Sequence, residues 1–256
     1  MIIVAIDSSA DSISVAVLRG REPLAVRAYK ASRPRSEAAL GVVEEMLADA
    51  ELTLDAVDLL AVATGPGSFN GIRGGIATAE GLGLALGRPV VGIPTLDAVA
   101  YAHVGRAPVL LALLPAGRDD YYAASYNGSM ENWGRRGEYT VGPLPEALAG
   151  LPSDALVCGS VPAGGEALVA GAGLRRAPLF AELPRALSAG ALAAAQAGRG
   201  GVDADVDADR AVQPLYLRRP GITQPGRPIA ASPRATRVDV EHAAGAALPV
   251  LPGGGE

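Results

Sequence analysis

The feature that most narrows the folds open to this chain is a self-similarity at an offset of 108 residues in a length of 256. At that offset Ile2-Ile3-Val4-Ala5-Ile6 lies over Leu110-Leu111-Ala112-Leu113-Leu114. Without a gap Asp11 then lies over Asp119, Ile13 over Tyr121 and Leu18 over Tyr126, the last two just before turns at Arg19-Gly20 and Asn127-Gly128. A period near half the chain is what duplication of one fold unit leaves behind. The matched runs are unbroken apolar stretches rather than alternating ones. Such strands are covered on both faces, so helices must lie above and below each sheet.

The first copy can be followed element by element. The strand at 2–6 is followed by strands at 13–18 and 24–29, with Arg19-Gly20-Arg21-Glu22 as the turn between them. Residues 36–50 carry Ala39, Leu40, Val43, Met46 and Leu47 on one side and Glu37, Glu44, Glu45 and Asp49 mostly elsewhere, an amphipathic helix that Ser36 would cap. A strand at 57–63, a helix at 71–86, a strand at 89–93 and a helix from Thr95 follow. Three strands in a meander and then alternating helix and strand is the order of a ribonuclease-H-like α/β unit. In the second copy, helices at 145–151 and 165–172 flank a strand at 155–159, and an alanine-rich helix occupies 187–197. The expected architecture is therefore α/β, with two duplicated ribonuclease-H-like lobes, 1–105 and 106–200, in the manner of actin-like and sugar-kinase-like ATPases. Residues 201–219 are expected to connect and return to the first lobe, and the proline- and glycine-broken stretch 220–256 to be a mobile tail.

Two-lobed ATPases clasp phosphate and Mg²⁺ between the first hairpins of both lobes, each with a carboxylate and a glycine turn. Here the first hairpin keeps Asp7 but has Ser8-Ser9 where glycine would let the backbone approach a phosphate. Pro115 stands opposite Asp7 in the second copy. The nucleotide site is depleted, which leaves Asp7 and Ser9 with either a nucleotide-binding or a structural role.

The strand at 57–63 runs into Gly65-Pro66-Gly67-Ser68-Phe69-Asn70-Gly71-Ile72-Arg73. A glycine loop between a strand and a helix N-terminus converges backbone N–H groups on an anion or a partner side chain. No Gly-Lys-Ser/Thr follows, so it is not a Walker A loop; the third glycine of a dinucleotide fingerprint comes one residue late. Inside the next helix Gly74, Gly75, Gly81 and Gly83 each cost up to ~1 kcal/mol relative to alanine. Together with Ala77, Ala79 and Ala85 they give a flat surface that another helix can approach closely. Ile72, Ile76, Ala79, Gly83 and Leu86 fall on one stripe, expected either to pack inside the chain or to meet a partner. On the second reading, a bulky charge at Gly75 or Ala79 weakens association and leaves the fold intact.

Other chemistries find little support. The only histidines are His103 and His242, with no His-Glu-x-x-His pair for zinc. Asp203, Asp205, Asp207 and Asp209 alternate without the glycine and glutamate of a calcium loop. Ser68 lacks the Gly-x-Ser-x-Gly setting of a hydrolase nucleophile. The lone Cys158 sits in an apolar run, which suits a core thiol in a reducing compartment. A net charge of −5 and 4% aromatic residues argue against unaided binding of RNA. No apolar stretch reaches the ~20 residues of a membrane helix, and the N-terminus lacks a signal-peptide pattern; the expectation is a cytoplasmic protein with no membrane partner.

Asp7-Ser8-Ser9 after an apolar strand, Ser36-Glu37 opening a helix, the stretch Gly65 to Arg73, and Pro214-Leu215-Tyr216-Leu217-Arg218 together resemble the bacterial TsaB (YeaZ) family over about 1–218. That family is one subunit of the machinery that makes threonylcarbamoyladenosine beside the tRNA anticodon. The resemblance implies a two-lobed actin-like fold and a non-catalytic subunit that needs no cofactor of its own. ATP and metal are expected on the partners, a TsaD-type catalytic subunit and a TsaE-type ATPase, and tRNA is met only through the complex. It also implies a homodimer when alone. The implied contact helices are 36–50 and 71–86, hence Glu37, Leu40, Val42, Val43 and Met46 with Ile72, Gly75, Ile76, Ala79 and Gly83, while Gly65, Gly67, Ser68, Asn70, Gly71 and Arg73 shape the loop. Asn70 replaces the family's usual threonine, Pro34-Arg35 precedes Ser36-Glu37 where a histidine is common, and Pro115-Ala116-Gly117 replaces Asp-Ala-Arg. The rival reading is a nucleotide-dependent kinase or ATPase of the actin-like superfamily working through Asp7; glycoprotease activity has no residue to support it.

Overall fold

A computed structural model describes residues 1–30, 35–161, 164–178, 184–198 and 211–218, with the backbone alone for 35–39. The expectations for Ser36 as a cap, the Glu37 side chain, the aspartates at 203–209, His242 and the tail 220–256 lie outside the described residues. In chain order the elements are β1 (Ile2–Asp7), β2 (Ser12–Arg19), β3 (Glu22–Lys30), α1 (Arg35–Asp49), β4 (Leu59–Gly65), α2 (Phe69–Leu86), β5 (Val90–Pro94) and α3 (Thr95–Tyr101). They continue with β6 (Val109–Gly117), β7 (Asp120–Asn127), β8 (Gly134–Pro143), α4 (Leu144–Leu148), β9 (Leu156–Gly159), α5 (Gly165–Gly171), β10 (Arg175–Arg176) and α6 (Arg185–Ala197).

The strands form two five-stranded sheets, β3-β2-β1-β4-β5 and β8-β7-β6-β9-β10. In each, the first three strands pair antiparallel and the next two join parallel. Order and direction therefore repeat, as duplication requires. The gapless offset fails in one detail. Ile3 pairs with Leu18, but Leu111 pairs with Ser125 and not with Tyr126, because the second hairpin carries a bulge between Pro115 and Gly117. Pro115 has no N–H to give to the ladder, which makes that position a natural place for the register to slip.

Alternation along β1 divides the first core in two. Val4 and Ile6 face α1 and α2 with Val43, Met46, Val62, Ile72 and Ala79, while Ile3 and Ala5 face α6 with Ala186, Ala189 and Ala193. Helix α6 lies so close that a Cβ at Gly190 would overlap the Leu18 side chain. Its alanines are thus a spacing device: short side chains let the helix axis settle on the sheet and gain dispersion contacts. By position in the chain this helix belongs with the second half; by packing it covers the first sheet. The second sheet is covered by α3 on one face, with Leu96 and Val99 against Leu110, Ala112 and Cys158, and by α4 and α5 on the other. Cys158 is a buried thiol whose S–H donates to the Leu111 carbonyl at 3.3 Å.

Candidate functional site

The glycine loop turns inward on the chain's own first hairpin. Gly65 has φ +106, and a Cβ there would come within 2.8 Å of Ile72 Cδ1 and 3.0 Å of the Leu215 carbonyl. Gly67 sits against the hairpin tip, where a Cβ would overlap the Ser9 carbonyl oxygen. The Ser68 N–H donates to that same oxygen at 2.7 Å, and Ser8 Oγ donates to the Gly71 carbonyl at 2.8 Å. Ser68 caps α2, its hydroxyl accepting from the Gly71 N–H at 3.3 Å. A loop of this composition could cradle an anion; here its closest approach is made to Ser8 and Ser9. Asn70 and Arg73 remain exposed, Arg73 lying 5.2 Å from the Phe69 ring, which in turn stacks on Tyr216 at 5.4 Å.

Asp7 is buried at the end of β1, and both of its oxygens are engaged. Oδ1 accepts from the Ser9 N–H at 2.7 Å and from Ser9 Oγ at 2.6 Å, and Oδ2 accepts from Arg185 Nε at 2.7 Å. The Arg185 side chain is itself 10% exposed. At the second hairpin Pro115 supplies no acid, and Arg218 donates to the Ala116 carbonyl at 3.1 Å and pairs with Asp120. An arginine from the C-terminal third of the chain thus occupies each hairpin. These residues do not fit a Mg²⁺-bound triphosphate: the one carboxylate in position already neutralises a guanidinium.

The residues expected on α2 as partner contacts turn inward, as the internal-packing reading of the stripe had it. Ile72, Gly75, Ile76, Ala79 and Gly83 are all buried, and they face the sheet of their own lobe. A Cβ at Gly75 would overlap Ser8 Oγ, and one at Gly83 would stand 2.5 Å from Val90 Cγ2. On α1, Val43 and Met46 are buried likewise, Val42 is half-buried and Leu40 is exposed. The faces turned outward carry other residues. On α2 these are Arg73, Ala77, Gly81, Ala85 and Leu84, the last 88% exposed; on α1 they are Leu40, Gly41 and Glu44. A Cβ at Gly41, Gly74 or Gly81 would meet nothing within 4 Å, so this outer surface is open and low. Period 3.6 puts small residues on two opposite faces of one helix, and spacing alone does not say which of them meets the sheet.

Comparison with known proteins places these features. A family model for tRNA N6-adenosine threonylcarbamoyltransferase (TsaD) matches residues 26–151. An uncharacterized protein of Mycobacterium tuberculosis is 33% identical over 225 residues, 85% of this chain and 92% of the relative. The Haemophilus influenzae tRNA threonylcarbamoyladenosine biosynthesis protein TsaB is 34% identical over 122 residues, 47% of this chain and 51% of that protein. The structure of YeaZ from Pseudomonas aeruginosa superposes with a TM-score of 0.67 at 27% identity, covering 84% of this chain and 99% of that one. This chain is a homologue of TsaB and shares the fold of YeaZ. A hexokinase of the ROK group from Thermus thermophilus, at TM-score 0.50 and 18% identity over 78% of this chain and all of its own, shares the fold alone.

One polar cluster of this chain has no counterpart in the sequence motifs. Asp97, on α3, accepts from Tyr126 OH at 2.7 Å and from Tyr139 OH at 2.8 Å. Trp133 stacks on Tyr126 at 5.2 Å and meets Tyr101 edge-on at 5.3 Å, while Arg135 lies over Tyr139 at 3.9 Å. Nothing local links residues 97, 126 and 139; only their aromatic and acidic character was a signal. Burial pushes the Asp97 carboxyl above its ordinary value, outweighing the two phenols and Arg135, which favour its charge. Burial and the Asp97 charge push both phenols up in turn. Between its ordinary and its raised value the folded state holds the Asp97 proton and the unfolded state does not, so this group's contribution to stability falls as pH rises through that window. Urea unfolding at stepped pH should show this slope in the wild type and its loss in Asp97→Asn. An equal slope in both proteins would mean that the carboxyl is not the source.

Among the described residues, no helix is long and apolar enough to cross a membrane.

Proposed function

We propose that this chain is a non-catalytic cytoplasmic subunit of the machinery for tRNA threonylcarbamoyladenosine biosynthesis, holding a TsaD-type catalytic subunit against the outward faces of α1 and α2. The observation that carries the reading is the pairing of Asp7 with Arg185: the acid that a two-lobed ATPase would commit to metal and phosphate is committed to the chain itself. The low outer surface supports the second half of the proposal. Helices α1 and α2 lie side by side, and glycines and alanines along them let a partner helix come near. Leu84, 88% exposed, is the natural anchor at such a surface, since an apolar side chain of that size gains most from being covered. The same reading brings in a TsaE-type ATPase as third component and a homodimer through the same faces when the chain is alone. The net charge of −5 supports contact with tRNA through the complex.

The test is light scattering coupled to size exclusion, on the protein alone and mixed with the TsaD-type subunit of the same cell. A heterodimer in the wild type, weakened in Leu84→Asp by roughly thirtyfold or more in Kd (about 2 kcal/mol) at unchanged melting temperature, is the expected outcome. Wild-type affinity in Leu84→Asp sinks the interface assignment. Tight ATP–Mg²⁺ binding by calorimetry, lost in Asp7→Ala, sinks the non-catalytic reading in favour of a kinase or ATPase.

A further inference from the structure

The segment Ala211–Arg218 has no helix or strand of its own, yet Val212, Leu215, Tyr216, Leu217 and Arg218 all engage other parts of the chain. We infer that it is a strap that fixes the angle between the two lobes. Its first half belongs to the first lobe. Val212 packs into the core of β1, β4 and α2, and its N–H donates to Glu80 Oε1 on α2 at 2.7 Å. A Cβ at Gly92 on β5 would stand 2.8 Å from Val212 Cγ1, which shows how closely the segment is seated. The Leu215 N–H donates to the Thr64 carbonyl at the end of β4 at 2.8 Å, and the Tyr216 ring stacks on Phe69 in the first turn of α2. Its second half belongs to the other lobe. Leu217 packs into the core formed by the second sheet and α3, and Arg218 holds the β6–β7 hairpin through the Ala116 carbonyl and Asp120.

Val212 and Leu217, five residues apart, therefore enter different hydrophobic cores, with hydrogen bonds at both ends. The geometry is that of a short tether: a few extended residues reach about 3.3–3.6 Å each, so the lobes cannot rotate apart without pulling Leu217 or Val212 from its core. The Asp97–Tyr126–Tyr139 cluster lies apart from the strap, holding α3 to the second sheet. Two-lobed proteins that close on a ligand use such a rotation; the strap opposes it in this chain. Because Gln213, Pro214 and Tyr216 also wall the groove of about 410 Å³ beside Arg73 and Ala77, the lobe angle and the surface next to the outer face of α2 are set by one segment.

The test is a distance distribution between spin labels on the full chain, at Glu22→Cys in β3 and Glu138→Cys in β8, both exposed, with the native Cys158 buried out of reach. One narrow distribution is expected for the otherwise wild-type strap. Arg218→Ala, which cuts the hairpin end at a half-exposed side chain, and Leu215→Pro, which removes the N–H given to Thr64, should each broaden or shift it. Arg136→Ala, an exposed arginine on β8 outside the strap, should not. An unchanged distribution in Arg218→Ala, with melting and helix content as in the wild type, overturns the inference whether or not Leu215→Pro folds. A broadening equal in Arg136→Ala overturns it as well.

Discussion

Arg185→Met should lower stability by about 3–5 kcal/mol, a large share of the roughly 5–15 kcal/mol that holds a domain together. The loss comes less from the ion pair's own attraction than from what remains behind. Asp7 is 1% exposed, and without Arg185 its Oδ2 has no compensating charge, while Ser9 satisfies only Oδ1. A carboxylate stranded in that setting must either stay charged at high cost or take up a proton. For a unit of this size the melting temperature should fall by roughly 6–20 °C. Asp7→Asn in the Arg185→Met background removes the stranded charge and should restore part of the loss, so the double-mutant cycle should show strong coupling. A loss under about 1 kcal/mol in the single variant is the signature of a solvated surface pair and would falsify the buried assignment.

Ala79→Glu and Ala77→Glu should part company although the residues are two apart on one helix. Ala79 is fully buried against the first sheet, so a glutamate there has neither room nor a partner. Overpacking alone costs about 1–3 kcal/mol, and burying the carboxyl adds to it. Little folded protein should accumulate. Ala77 is exposed on the opposite side, and its replacement should leave stability within about 0.5 kcal/mol while weakening the proposed partner contact. Chemical denaturation of both variants, followed by titration of the folded one with the TsaD-type subunit, reads out both halves. If Ala79→Glu folds normally, the helix is not seated as described. This reverses the expectation drawn from the stripe of small residues, in which a charge at Gly75 or Ala79 spared the fold.

What the amino-acid sequence determined by itself is the part of the protein governed by local period and by covalent identity. Unbroken apolar runs at 2–6 and 110–114 could only be doubly covered strands, and their recurrence required two similar sheets. The glycine stretch at 65–73 marked a strand-to-helix turn, and the serines and proline departed from the acid-and-glycine pattern of nucleotide-binding hairpins. Strand β8 was not legible: Gly-Arg-Arg-Gly-Glu has no apolar alternation, because the strand lies at the sheet edge and is mostly exposed. Contact across distant parts of the chain was equally hidden. No spacing rule brings Arg185 to Asp7, Tyr126 and Tyr139 to Asp97, or α6 to the first sheet, since each partner is chosen by shape and burial after the elements have formed. The same holds for α2. Its sequence offers two faces of small residues, and only the sheet beneath it decided which face became core and which stayed exposed.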